Sequence, residues 1–158
     1  MLERRSHSRS ELARRLAEKG HLPEVAADTI ERLVGTGLVN DAIYAGQVAR
    51  TFLVGRRSSV RRVQQEMMRR GIERTLADDA IAEVRAEEGL ETEDASVERA
   101  ARQKLKSLAG LDSLTRARRL TGFLARRGFS GEVIRAALRR LDREAADEGD
   151  EGNGGDVE

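Results

Sequence analysis

The chain has 158 residues, of which 36% are charged, 39% are hydrophobic and only 3% are aromatic. The absence of cysteine excludes disulfides, thiolate metal sites and a cysteine nucleophile, and no apolar run suggests a membrane span or a signal peptide, so we expect a cytoplasmic protein without membrane association. The net charge of +1 hides an asymmetry, because residues 1–141 hold 28 basic and 20 acidic residues whereas residues 142–158 hold 1 basic and 8 acidic residues.

Three segments of the chain repeat one pattern of a helix, a glycine turn and a second helix. Apolar residues recur four and eight positions before each glycine and five, ten and thirteen positions after it, which places them on the inner faces of two helices. A glycine is suited to the left-handed residue just past a helix C-terminus. Ser8-x-x-Glu11 resembles a capping box at the first helix start. The repeated glycines are Gly20, Gly71 and Gly128.

The spacing between these glycines leaves room for a third helix in each of the first two repeats, whereas in the last repeat the third helix is expected to be missing or replaced by the tail. The segments "NDAIYAGQVARTFLVG" and "DASVERAARQKLKSLAG" each place apolar residues on one helical face. We therefore expect an all-α fold with three tandem repeats of three-helix motifs, over residues 1–55, 56–110 and 111–142. Repeats that contact only their neighbours give an elongated molecule. Residues 143–158 are predicted to be a disordered acidic tail.

Arginine residues form the candidate binding surface. The positions two and nine before each glycine share a helix face opposite the apolar residues, and they are arginine in the second and third repeats but glutamate in the first. Such a face suits phosphates or acidic protein surfaces, and the alternative is an ordinary solvated face. The candidate residues are Arg56, Arg57, Arg61, Arg62, Arg69, Arg70, Arg119, Arg126 and Arg127.

Catalytic motifs are lacking. The two histidines, His7 and His21, have no partner at catalytic or metal-ligand spacing, and there is no P-loop or dinucleotide fingerprint. The few aromatic residues do not provide a stacking platform for single strands. We expect a protein that is not an enzyme and that uses no cofactor.

Four segments in this order resemble the RecX family, bacterial regulators of the RecA recombinase. They are "RSHSRSELARRLAEKG", "GLVNDAIYAGQVAR", "RRVQQEMMRRGI" and "LARRGF", and the resemblance extends from Arg5 to Leu141. It implies an all-helical monomer that binds in the groove of the RecA filament, suppresses ATP hydrolysis and strand exchange, and so regulates homologous recombination, DNA repair and the SOS response. The basic face would bind single- or double-stranded DNA weakly. Family-motif positions are Asp41, Tyr44, Ala45, Gly20, Gly71 and Gly128.

Most of these motif positions have a structural interpretation as well. We expect Tyr44 to pack inside the fold with its hydroxyl on a neighbour, Asp41 to act in the first turn of a helix, and the glycines to serve the backbone.

A helix-turn-helix DNA-binding regulator is the alternative function, because each glycine-centred helix pair has that outline. The second helices "PEVAADTIERLV" and "LADDAIAEV" are acidic or apolar, which argues against base recognition, whereas "EVIRAALRRL" remains possible. A non-catalytic scaffold for another protein is a third option.

Overall fold

The computed structural model describes residues 6–90 and 92–151, and every regular element in those ranges is a helix. This confirms the predicted all-α fold. None of these helices is both long and apolar enough to cross a membrane. A single turn of π-helix, Thr51–Gly55, extends α3. The α-helices are α1 Arg9–Glu18, α2 Pro23–Gly35, α3 Asp41–Arg50, α4 Val60–Arg69, α5 Arg74–Glu87, α6 Glu93–Lys106, α7 Ser113–Arg126 and α8 Gly131–Glu151.

Local signals in the sequence define several helix ends. The capping box of α1 forms as predicted, because the Ser8 Oγ accepts from the Glu11 N–H at 3.0 Å and the Glu11 carboxylate accepts from the Ser8 N–H at 3.2 Å. The three repeated glycines follow α1, α4 and α7 with φ of +82°, +70° and +93°, the left-handed conformation that ends a helix at low cost only for glycine.

The helices pack in a different grouping from the predicted repeats. Helix α3 packs on α4 and α5 around one core that extends from Tyr44 to Val84. Helix α6 packs on α7 and α8 around a second core that extends from Val97 to Ala137. The predicted boundaries at residues 55 and 110 therefore divide helices that share a core. The apolar face of a connecting helix indicates that it is covered, but does not indicate which neighbouring pair covers it.

We name three packing units accordingly. The N-terminal pair consists of α1 and α2, which pack on each other; the middle unit consists of α3 to α5; and the C-terminal unit consists of α6 to α8. No helix of the N-terminal pair packs extensively on a helix of the C-terminal unit within the described residues. This agrees with the expected tandem arrangement.

One kind of junction joins consecutive units twice. The Ser8 hydroxyl, at the start of α1, donates to the Arg70 carbonyl at the end of α4. The Ser59 N–H, at the start of α4, donates to the Arg127 carbonyl at the end of α7, at 2.9 Å. Each start of a helix pair thus contacts the glycine turn of the next unit, and a Cβ on Gly71 would overlap the Ser10 side chain.

Helix α8 continues beyond the residue at which the tail was predicted to begin. The chain is helical to Glu151, nine residues past 142. Two alanines, Ala145 and Ala146, favour the helix, and Arg102 Nη2 lies 2.6 Å from Glu144 Oε2, which ties this turn to α6. The prediction of a disordered tail thus begins too early, and its last seven residues, 152–158, lie outside the described residues.

Candidate functional site

Four arginines meet where the middle unit contacts the C-terminal unit. Arg56 and Arg57 lie in the loop between α3 and α4, while Arg126 and Arg127 lie at the end of α7. The Ser59 N–H bond to the Arg127 carbonyl holds this loop against the helix end. Partial burial, followed by the like charges of the other three arginines, lowers the pKa of Arg127 below its ordinary value. A cation surrounded in this way is stabilised by an approaching anion.

The local backbone presents the loop arginines at this junction. The π-helical turn ends at Gly55, and the Ser58 N–H donates to the Phe52 carbonyl at 2.8 Å. Arg57 has a φ of +50°, which is uncommon for a residue other than glycine. The guanidinium of Arg56 stacks on the Phe52 ring at 4.4 Å. The loop backbone is therefore fixed by packing and hydrogen bonding, and the stacking on Phe52 holds the charge of Arg56 in place.

A basic groove between α6 and α7 continues from this cluster. It is lined by Lys104, Arg118, Arg119 and Arg126 among uncharged residues. Gly122 also lines it, and a Cβ at this position would lie 3.3 Å from the Arg126 Nη1. A glycine inside a helix costs about 1 kcal/mol relative to alanine. Here it gives the Arg126 guanidinium space along the groove.

The ring of Phe123 connects the groove to the junction cluster. Lys104 Nζ lies 5.7 Å from the ring centroid, and the Arg127 guanidinium carbon lies 4.9 Å from it. Both distances are within the range of a cation–π interaction. We name the combined set the basic surface. Its residues are Arg56, Arg57, Lys104, Arg118, Arg119, Arg126 and Arg127.

The described part of the chain places no carboxylate within 4.0 Å of any of these seven cations. Elsewhere in the protein many arginines have acidic partners. Arg50 Nη2 lies 2.7 Å from Glu87, and Arg140 Nε lies 2.7 Å from Glu98. An ordinary solvated face in a chain with 28 acidic residues would be expected to mix the two signs. The separation of charge favours a surface that receives an external anion.

Arg70 differs from the other candidates because the fold itself uses its charge. Its Nη2 lies 2.8 Å from Glu66 Oε1, and its Nη1 donates to the Tyr44 hydroxyl at 2.7 Å. Burial alone would lower the pKa of Arg70, but these hydrogen bonds leave it raised. Burial alone would raise the pKa of Glu66, but its pairing with Arg70 and Arg69 leaves it lowered. Arg70 and, in part, Arg69 therefore stabilise the middle unit.

The remaining candidates are exposed. Arg61 and Arg62 are exposed on α4, and a Cβ on Gly128 would lie 2.8 Å from the Arg62 Cβ. Arg62 thus lies beside the junction, whereas the structure gives no contact that brings Arg61 to the basic surface. Lys104 and Arg118 are absent from the candidates that the sequence predicts, because they lie outside the two aligned arginine positions. Lys104 joins the others because α6 packs on α7, whereas Arg118 lies on α7 itself, beside Arg119.

The family-motif positions have structural roles. Tyr44 is 4% exposed and its hydroxyl accepts from Arg70, which confirms that it packs inside. Ala45 is fully buried beside it. Asp41, in the first turn of α3, accepts from the Arg9 N–H at 2.9 Å and so links α3 to α1.

The family models that match this chain divide it at the same places as the three packing units. Family models described as the first, second and third three-helix domains of RecX match residues 1–33, 40–81 and 91–138. The chain belongs to the RecX family. These RecX domains begin the second and third units at α3 and α6, in agreement with the packing and not with the predicted boundaries.

Individual RecX proteins match over most of their length. The Regulatory protein RecX of Halorhodospira halophila is 37% identical over 157 residues, covering 96% of this chain and 86% of the relative. That of Streptomyces coelicolor is 34% identical, with 92% and 77% covered. The crystal structure of RecX from Lactobacillus salivarius superposes with a TM-score of 0.65 at 18% identity, covering 89% of each chain, which supports the fold. The relatives are named as regulatory proteins.

Proposed function

We propose that this chain binds the RecA nucleoprotein filament and inhibits its ATPase and strand exchange. The observation that carries the proposal is the basic surface, which collects seven cations across the contact of two units, with no carboxylate of the described residues within 4.0 Å of them. The RecX relatives, each named as a regulatory protein, support a regulatory role. The basic surface would contact DNA phosphates or acidic protein groups in the filament.

The arrangement of the surface suggests how inhibition would work. An elongated protein that contacts the filament through two of its units favours the arrangement of filament subunits to which both units can bind at once. If ATP hydrolysis requires the RecA subunits of the filament to change their relative arrangement, hydrolysis would then be slowed. Each such change would require the bound protein to be released or distorted. Since guanidinium contacts to phosphate release counterions, binding should weaken steeply with added salt.

The test is the rate of RecA ATP hydrolysis on single-stranded DNA, measured against increasing concentrations of this protein. Reversing Arg57, Arg119 and Arg126 to glutamate should raise the concentration needed for inhibition at least tenfold, because each lost contact to an ionised group is worth roughly 1.5–3 kcal/mol. Arg119 and Arg126 are exposed whereas Arg57 is half-buried, so stability should change by about 0.5 kcal/mol or less at each of the first two sites and by about 1 kcal/mol at Arg57.

A matched control reverses three exposed arginines whose charges are paired within their own helices. It carries the same total change of charge and should inhibit like the parent protein. If the two triple variants inhibit equally, the basic surface is not the contact. The control residues are Arg14, Arg32 and Arg74.

The helix-turn-helix alternative now depends on α8 alone. Arg135 and Arg139 are exposed at an i, i+4 spacing on this helix, and neither has an ion pair in the described structure. In contrast, α5 uses Arg74 and Glu87 in ion pairs. Tight binding to one duplex sequence that is lost in Arg135→Ala, without any effect on RecA, would favour this alternative.

A further inference from the structure

Arg57 is the only residue other than glycine in the described part of the chain that has a positive φ, at +50°. It follows the π-helical turn as Gly71 follows α4, and in both places the next N–H donates back into the helix, here from Ser58 to the Phe52 carbonyl at 2.8 Å. Glycine would adopt this left-handed conformation without steric cost, so an arginine here makes the fold less stable than a glycine would. A strained residue of this kind points to a function of its side chain.

The strained residue lies at a boundary where two packing units make small contacts. No helix of the middle unit packs extensively on a helix of the C-terminal unit within the described residues. The boundary includes the hydrogen bond from the Ser59 N–H to the Arg127 carbonyl at 2.9 Å, and a second one from Arg99 Nη1 to the Glu88 carbonyl at 3.0 Å. Contacts of this size leave the relative arrangement of two units sensitive to the charges between them.

Each of the two units contributes two cations to this boundary. Arg56 and Arg57 come from the middle unit, and Arg126 and Arg127 come from the C-terminal unit. Burial lowers the pKa of Arg127, and the like charges of the other three lower it further. The guanidinium groups of Arg56 and Arg127 each stack on an aromatic ring of their own unit, at 4.4 Å and 4.9 Å. Repulsion between the two pairs opposes the close approach of the units, and an anion between them would remove it.

We propose that these four arginines form a site for a phosphate oxyanion that bridges the middle and C-terminal units and fixes their relative arrangement, with the side chain of Arg57 completing the site. Guanidinium groups bind phosphate oxygens in pairs. Linked phosphates carry charges on neighbouring groups and so can contact arginines of both units at once, whereas a single carboxylate has one charge. A nucleic-acid backbone and a nucleotide share this chemistry. The inference concerns the basic surface of the proposed function, but it rests on the geometry of the junction and does not require RecA.

The first test is calorimetric titration of the full-length protein with inorganic pyrophosphate, against sodium chloride of matched ionic strength. One pyrophosphate per chain should bind, with saturation below about 10 mM. Arg57→Gln keeps the strained backbone but removes the cation, so it should weaken binding roughly tenfold or more. Arg57→Gly should lose the same affinity, yet its melting temperature without ligand should rise by roughly 2–4 °C because the strain is relieved.

The control variant for the loss of one charge is Arg74→Gln. The Arg74 side chain is 80% exposed on α5 and lies 3.6 Å from Asp78. This variant should bind pyrophosphate within twofold of the parent protein.

The second test follows the arrangement of the two units directly. The chain has no cysteine, so spin labels can be attached at Asp79→Cys on α5 and Glu132→Cys on α8, both of which are exposed positions. The distance distribution from pulsed electron–electron double resonance should narrow when pyrophosphate is added, and should not narrow in the same protein with Arg57→Gln. Adenosine triphosphate and an oligothymidylate then distinguish the two sources of phosphate, because the natural source should displace pyrophosphate and lose affinity in Arg57→Gln.

Five results would overturn the proposal. They are absence of saturable pyrophosphate binding, an equal loss of affinity in Arg57→Gln and Arg74→Gln, binding that leaves the distance distribution unchanged, a lower melting temperature in Arg57→Gly, and a polyglutamate peptide that binds as tightly as pyrophosphate. The fourth would show that the arginine stabilises the fold, and the last would assign the cluster to acidic proteins. None of these measurements contains RecA, so failure here is distinct from failure of the proposed function.

Discussion

Alanine substitution at the three repeated glycines should separate the cost of the turn from the cost of the junction. All three have φ between +70° and +93°, and an alanine there costs about 1–2 kcal/mol for the left-handed conformation. At Gly20 a Cβ would meet nothing within 4 Å, whereas at Gly128 it would lie 2.7 Å from the Ser59 Oγ and 2.8 Å from the Arg62 Cβ. Overlap of this kind adds about 1–3 kcal/mol.

The expected free energies of unfolding follow directly. Gly20→Ala should destabilise the protein by about 1–2 kcal/mol, and Gly128→Ala by about 2–5 kcal/mol, the sum of the turn and overlap terms. Urea unfolding followed by circular dichroism measures both. The Gly71→Ala variant, whose Cβ would overlap the Ser10 side chain, should resemble Gly128→Ala. Equal losses at Gly20 and Gly128 would refute the junction as the source of the difference.

Three further predictions concern shape, the acidic end and pH. X-ray scattering of the chain ending at Asp142 should give a radius of gyration clearly above the value of about 15 Å for a compact domain, and a compact value would contradict the tandem arrangement. Deleting residues 143–158 removes seven carboxylates and one arginine, so DNA binding should strengthen and depend more steeply on salt; unchanged affinity at low salt would argue against competition by this segment. The pKa of Glu66 is lower in the folded protein than its ordinary value. The stability that its ion pairs contribute is therefore fully present above the ordinary carboxyl pKa of about 4.3, and it is lost as the pH falls through the lower pKa of the folded state. Acid unfolding of Glu66→Gln should therefore lose part of this dependence, and an unchanged pH profile would count against the pairing.

The sequence contained most of the fold in short-range signals. The glycine turns and the capping box at Ser8 act over a few residues, so they can be read without tertiary information. The grouping of α3 with the helix pair that follows it could not be read in this way, because the apolar face of α3 fits the preceding pair as well as the following one. Glu11 shows the limit of counting positions: the aligned positions predict an exposed helix face for it, but the capping box holds it 7% exposed.

The candidate site was predicted in part. The sequence indicated the arginine-rich ends of α4 and α7, and the loop with Arg56 and Arg57 was included. Two features were not among the predictions, namely the pairing of Arg70 with Glu66 and the approach of Lys104 to Phe123. The first was accessible as an i, i+4 pair of opposite charge. The second depends on how α6 lies on α7, for which the local sequence has no signal.

The junctions also bear on polymerisation. Two of the three helix pairs contact the glycine turn of the following unit. Among the described residues nothing lies within 4 Å of a Cβ at Gly20, and Asp112 stands at the start of the third pair. Head-to-tail contacts between such ends would generate open filaments. At the first start the Ser8 hydroxyl donates to a carbonyl, but the side chain in the third start is a carboxylate whose pKa is lowered by its hydrogen bond from Thr115. An ionised carboxylate cannot donate and repels a carbonyl oxygen, so Asp112 cannot repeat the hydroxyl contact of the first junction, and only a backbone N–H contact like that of Ser59 is left to this end of the molecule.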